Sequence, residues 1–173
     1  MTEPKRVAAI DCGTNSIRLL ITDLSGEAQS DVLRDMRVVR LGEGVDRTRR
    51  LDPSAIDRTV AATAEYAGLI NQFGATQVRF CATSAARDAE NGEVFADRIE
   101  EVLGIRPEVL AGEAEAAASF LGATRALGPG RTVVIDIGGG STEVVVGAGA
   151  AMESAVSLDV GSVRLTERFF TSD

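Results

Sequence analysis

The sequence predicts a mixed α/β fold in which an antiparallel meander of strands leads into βα units and one hairpin of the meander is used twice. Three observations carry this. The stretches RVAAID (6–11) and IRLLITDL (17–24) read as strands, and Ser25-Gly26 can turn the chain into a third at about 28–41. Beyond them helical and strand patterns alternate in the order βββαβαβα, and the parallel strands of such crossovers need helical cover. Finally, DIGGGSTEVVV (136–146) repeats DCGTNSIRLLI (11–21) at a constant spacing of 125 residues, pairing Asp11 with Asp136, Gly13 with Gly138 and Ser16 with Ser141.

The elements follow in order. LDPSAIDRTVAATAEYAGLINQFG supplies Asp52 as N-cap, Pro53 at the first helical position, and Ile56, Val60, Ala64, Ala67 and Ile70 at helical spacing. Gly74 stops that helix. A short strand is expected over 77–84, a helix over 92–104 closed by Gly104, a strand over 106–112 and a third helix over about 113–127. Gly128-Pro129-Gly130 reads as a linker and hinge, so the expected domains are 1–127 and 128–173. The second copy is expected to be incomplete: after a strand near 153–160, GSVRLTERFFTSD begins a helix that leaves Phe169 and Phe170 without a partner.

Composition excludes several function classes. Over 173 residues, 18 Lys and Arg face 26 Asp and Glu, a net charge of −8, so no broad basic face exists for a nucleic-acid polymer or a membrane surface. A compact unit of this length buries roughly 70% of its unfolded surface, enough for a core. The start has only a brief apolar run before Asp11 and nothing approaches a membrane span, which points to the cytoplasm. Cys12 and Cys81 lie in apolar runs and read as reduced core thiols. The chain has no histidine, which removes Ser-His-Asp and Cys-His catalysis and every His-containing metal site. Acid–base chemistry falls to carboxylates, and a metal must be a hard one held by oxygen.

The repeated loops are where chemistry concentrates. Glycines let backbone N–H groups approach an anion without a Cβ in the way, and Thr14, Asn15, Ser16, Ser141 and Thr142 add side-chain donors, so such loops suit phosphate oxygens. One copy alone is as readily a plain hairpin; the pair argues for function. Neither is a nucleotide-binding glycine loop of the kind that opens a helix. Asp11 and Asp136 end strands, where a carboxylate can hold magnesium directly or through water, and Glu143 can join Asp136.

ATSAARDAEN (82–91) offers Thr83, Ser84 and Arg87 to an anion, with Ser84 equally readable as an N-cap. LAGEAEAAASFLG puts Glu113 and Glu115 in the first turn of a helix, where they either complement its dipole or, in a chain without histidine, activate a water. RTRRL (47–51) is the densest basic run and can receive a long anion.

Together DCGTNSIRLLI, RLGEGVD, ATSAARDAEN, LAGEAEAAASFLG, DIGGGSTEVVV and SLDVGSVRLTERF resemble, in order, the blocks of the exopolyphosphatase and guanosine pentaphosphate phosphatase family, a branch of the actin-like ATPase superfamily. The resemblance implies two ribonuclease-H-like lobes flanking a cleft, the second truncated. It implies that Gly13, Thr14, Asn15, Ser16, Gly138, Gly139, Gly140 and Ser141 bind phosphates with help from Arg87, that Glu115 is the catalytic glutamate, and that Asp136 and Glu143 serve magnesium. Ala114 stands where the family commonly has an acid. The implied activity is hydrolysis of terminal phosphoanhydrides of inorganic polyphosphate, with guanosine pentaphosphate as a further candidate substrate. An actin-fold ATP-dependent small-molecule kinase and a non-catalytic phosphate-binding module are the competing readings. Oligomeric state stays open, a homodimer among the candidates.

Overall fold

A computed structural model describes residues 4–26 and 28–170. The chain divides into two compact units, Met1–Val109 and Leu110–Asp173.

In the first unit, β1 (Lys5–Cys12), β2 (Ser16–Ser25) and β3 (Ala28–Val38) form the expected antiparallel meander. β4 (Gln77–Ala82) pairs parallel with the free edge of β1, and β5 (Glu108–Val109) pairs parallel with β4, giving the order β3-β2-β1-β4-β5. The strand expected over 106–112 is thus a two-residue pairing. Alternation in β1 and β2 buries Ala8, Ile10, Cys12, Ile17, Leu19 and Ile21 on the core side.

Helical cover comes from α2 (Pro53–Phe73) and α4 (Gly92–Leu103); two short helical turns, α1 (Val45–Thr48) and α3 (Ser84–Asp88), lie in the loops before them. Asp52 caps α2 by accepting the Ser54 N–H at 2.8 Å, and Gly74 ends it with a left-handed φ of 71° that a side chain would resist. Tyr66 of α2 is fully buried and donates its hydroxyl to the Ile17 carbonyl at 3.2 Å, fixing the helix to β2. Phe80 and Phe95 meet edge to face with centroids 6.5 Å apart. Both cysteines are free thiols, Cys12 buried and Cys81 half-buried, and desolvation raises both pKa values, which disfavours the thiolate form.

The second unit repeats the meander with β6 (Arg131–Ile137), β7 (Thr142–Ala148) and β8 (Ala151–Leu158), followed by α6 (Ser162–Phe169). α5 (Gly112–Thr124) packs on one face of this sheet, its Ala116 and Phe120 against Val145 with Val134 and Ala155 alongside. That packing moves the boundary expected at 127/128 to 109/110. The Gly128–Gly130 stretch is a turn inside the second unit, where the Gly130 carbonyl accepts the Gly149 N–H at 3.2 Å. Val133, Ile135 and Ile137 on the other face of the sheet are exposed, as are Phe169 at the end of α6 and Phe170 just after it. Among the described residues no helix is long and apolar enough to cross a membrane.

Candidate functional site

The duplicated hairpins close with the same bond: Gly13 N–H donates to the Ser16 carbonyl and Gly138 N–H to the Ser141 carbonyl, each at 2.9 Å. In each unit a segment just past the third meander strand ties the loop carbonyls back. Asn15 O accepts the N–H groups of Val39 and Arg40 at 3.0 and 2.9 Å, and Thr14 O accepts that of Gly42 at 2.9 Å. In the second unit Gly138 O accepts Ser162 N–H at 3.0 Å, Gly139 O accepts those of Val163 and Arg164 at 2.9 and 3.1 Å, and Arg164 Nε donates to Gly140 O at 2.8 Å. In a trans peptide the following N–H points opposite to the carbonyl. The N–H groups of Asn15, Gly139 and Gly140 are therefore turned away from the tying segments, where they can donate to an anion.

Side chains around the first hairpin are partly committed. The Thr14 and Ser84 hydroxyls lie 2.8 Å apart and are buried, so Thr14 contributes its backbone and anchors the loop to α3, whose last turn carries Arg87. Thr83 rather than Ser84 is the N-cap residue of α3, without a side-chain capping bond. Ser141, at the foot of the second loop, is buried.

The strand residues flanking the two loops differ in charge. In the first unit Asp11 sits directly opposite Arg18, and the two pair at 3.2 Å. At the matching positions of the second unit Asp136 sits opposite Glu143, two carboxylates across one strand pair. Like charges in that relation repel. Glu143 is buried and accepts the Ser157 hydroxyl at 2.7 Å; Asp136 is exposed and accepts the Ser119 hydroxyl at 2.5 Å. Magnesium is typically held by one or two carboxylates, with waters and substrate phosphates completing its shell. Asp136 and Glu143 fit that donor set, and among the described residues no group of three or more Asp, Glu, Cys or His is arranged to hold a metal.

Glu115 is half-buried in the first turn of α5, one helical turn before Ser119 and so on the same face, whereas Glu113 is exposed. Gly112 opens the helix against Ser157: a Cβ there would stand 2.9 Å from that of Ser157. Glu115, Ser119, Asp136, Glu143 and Ser157 thus belong to one corner of the second unit. Gly13–Ser16, Ser84 and Arg87 belong to the first.

A family model described as the Ppx/GppA phosphatase family matches residues 20–173. The chain belongs to the Ppx/GppA phosphatase family. Exopolyphosphatase 2 of Mycobacterium tuberculosis is 51% identical over 97% of this chain, which spans 56% of that protein's length. A crystal structure of the Aquifex aeolicus Ppx/GppA family member is 38% identical with a TM-score of 0.82, covering 98% of this chain and 56% of that one. The ethanolamine utilization protein EutJ of Carboxydothermus hydrogenoformans is 19% identical with a TM-score of 0.58, over 96% of this chain and 56% of that one, and shares the fold.

Within this Ppx/GppA chain the structure adds residues that sequence reading passed over. Ser119 has a signal in hindsight, its i+4 spacing from Glu115; Ser157 and the segments that tie back the loop carbonyls have none, because their partners are distant in sequence.

Proposed function

We propose that the chain carries the phosphate loops and catalytic carboxylates of a magnesium-dependent exopolyphosphatase, which releases orthophosphate from the ends of inorganic polyphosphate. The observation that carries this is the replacement of the Asp11–Arg18 pair by Asp136 opposite Glu143, at equivalent places beside equivalent loops. One hairpin is neutralised internally; the other presents unbalanced carboxylates beside an anion-binding loop. A polyanionic substrate and a divalent cation together satisfy both.

In this reading the loop N–H groups of both units hold phosphate oxygens, and Arg87 adds charge to the first. Glu115 orients a water and takes its proton as the water oxygen bonds to the terminal phosphorus. The phosphoanhydride P–O bond breaks, the shortened chain leaves as an anion, and orthophosphate is released. Asp136 and Glu143 would hold magnesium, which when bound would supply charge neutralisation at the phosphoryl oxygens. Ser119 and Ser157 keep the two carboxylates oriented. The exopolyphosphatase relative and the family membership support the substrate class. Guanosine pentaphosphate presents the same terminal phosphoanhydride and is the second substrate of this proposal. Two reduced thiols agree with a cytoplasmic setting.

The test is phosphate release by the full-length protein with magnesium, offered polyphosphate, guanosine pentaphosphate and ATP separately. Release from polyphosphate without any acceptor supports the proposal. ATP turnover that requires an added acceptor, with polyphosphate left intact, replaces it with a kinase.

A further inference from the structure

Gly42 and Gly161 stand at matching places in the two units, each a few residues past the third strand of its meander. A Cβ built on Gly42 falls 2.3 Å from Thr14 Cγ2 and 3.1 Å from Ala85 Cβ. One built on Gly161 falls 2.4 Å from both the carbonyl carbon and the oxygen of Gly139. Thr14 and Gly139 are the same position of the repeat, 125 residues apart. Gly42 and Gly161 are only 119 apart, because β2 and β3 have 10 and 11 residues where β7 and β8 have 7 and 8. Neither glycine has a left-handed backbone, so each is required for room rather than for its φ.

We propose that Gly42 and Gly161 are equivalent positioning residues for the two loops, a role that rests on reading those loops as phosphate-binding. Each lets a tying segment lie against the second residue after the loop's entry aspartate-bearing strand end. From there Gly42 N–H reaches Thr14 O, and the N–H groups of Ser162 and Val163 reach Gly138 O and Gly139 O. A methyl group at either glycine pushes the segment off, frees those carbonyls and lets the loop N–H groups rotate away from their ligand.

The two obstacles differ in kind. At Gly42 the tightest obstacle is a side-chain methyl, which Thr14→Ser removes while keeping the hydroxyl that faces Ser84, leaving only the contacts with Ala85 Cβ and Thr14 Cβ at 3.1 and 3.2 Å. At Gly161 it is backbone, which no side-chain change relieves.

The experiment uses the 173-residue chain with Gly42→Ala, Gly161→Ala and Gly42→Ala combined with Thr14→Ser. Amide resonances of both loops are recorded, and tripolyphosphate affinity is measured by calorimetry. Gly42→Ala is expected to shift the amides of 13–16 and weaken tripolyphosphate binding roughly tenfold, the scale of overpacking a tight contact. Adding Thr14→Ser is expected to return both to within about twofold of the unsubstituted chain. Gly161→Ala is expected to shift the amides of 138–141 and weaken binding, and Thr14→Ser leaves that loss in place.

Unmoved loop amides and undiminished affinity in Gly42→Ala, or no rescue by Thr14→Ser, overturn the proposal. If Gly42→Ala does not fold, a folded double variant supports it and an unfolded one overturns it. Failure of the unsubstituted chain to bind tripolyphosphate overturns the phosphate reading and the proposal with it, and is told apart by appearing before any substitution.

Discussion

Asp136 sits directly opposite Glu143 across β6 and β7, at the positions that Asp11 and Arg18 occupy across β1 and β2. The duplication has kept the backbone and changed the charge. A cation that binds the folded chain at these carboxylates raises its thermal midpoint by mass action. Magnesium titrated into the chain is expected to raise the midpoint, and Asp136→Asn, at an exposed position, is expected to remove most of that rise. Differential scanning calorimetry at increasing magnesium checks it; an equal rise in the variant contradicts the assignment.

Ser119 acts on the same carboxylate from α5. Groups that orient a metal-ligating side chain typically affect metal affinity by about 10- to 100-fold. Ser119→Ala is therefore expected to raise the magnesium concentration for half-maximal activity about tenfold. Turnover at saturating magnesium should change far less. Steady-state assays across magnesium concentrations separate the two effects.

The buried apolar cluster of the second unit is small: Ala116, Phe120 and Val145, with Val134 and Ala155 partly buried beside them. Phe120 is its one aromatic residue, and Gly147 packs closely against it, since a Cβ there would stand 2.5 Å from Phe120 Cζ. Phe120→Ala is expected to cost about 3–5 kcal/mol, a loss that a cluster of this size absorbs poorly. Hydrogen exchange should show protection lost in β6, β7 and β8 while β1, β2 and α2 keep theirs.

Acid stability follows from paired carboxylates. The Arg6 guanidinium holds Asp23 below the usual carboxylate range, Arg34 does the same for Asp31, and Arg79 for Glu108, while Ser54 lowers Asp52. A carboxylate whose folded pKa is depressed contributes stability that is present above its unfolded pKa and lost as pH falls through the folded value. Urea midpoints are expected to be flat from neutral pH to about 5 and to fall below that. Arg79→Ala is expected to make the acid decline slightly shallower, a small change because the pair is exposed.

Much of this was legible in the chain. The repeat of DCGTNSIRLLI placed both hairpins, and Asp52, Pro53 and Gly74 set the limits of α2 through local chemistry. The allegiance of α5 was not legible, because Gly128-Pro129-Gly130 carries the composition of a linker and only packing shows that the helix before it covers the second sheet. α1 has no signal in the chain because 4 residues are too few for periodicity to register, and α3, of 5 residues, is signalled only by Ser84 as an N-cap, one residue past the cap that forms. The match between Gly42 and Gly161 was hidden by the shortening of β7 and β8 relative to β2 and β3, which breaks the constant spacing before the segments that tie the loops back.

The most direct measurement is the rate of phosphate release from polyphosphate by the full-length protein and by its Glu115→Gln variant, with tripolyphosphate affinity measured on both. The expected result is a rate lowered by roughly 10²- to 10⁴-fold with affinity nearly unchanged, as for loss of a general base. Unchanged turnover in the variant would contradict Glu115-driven hydrolysis.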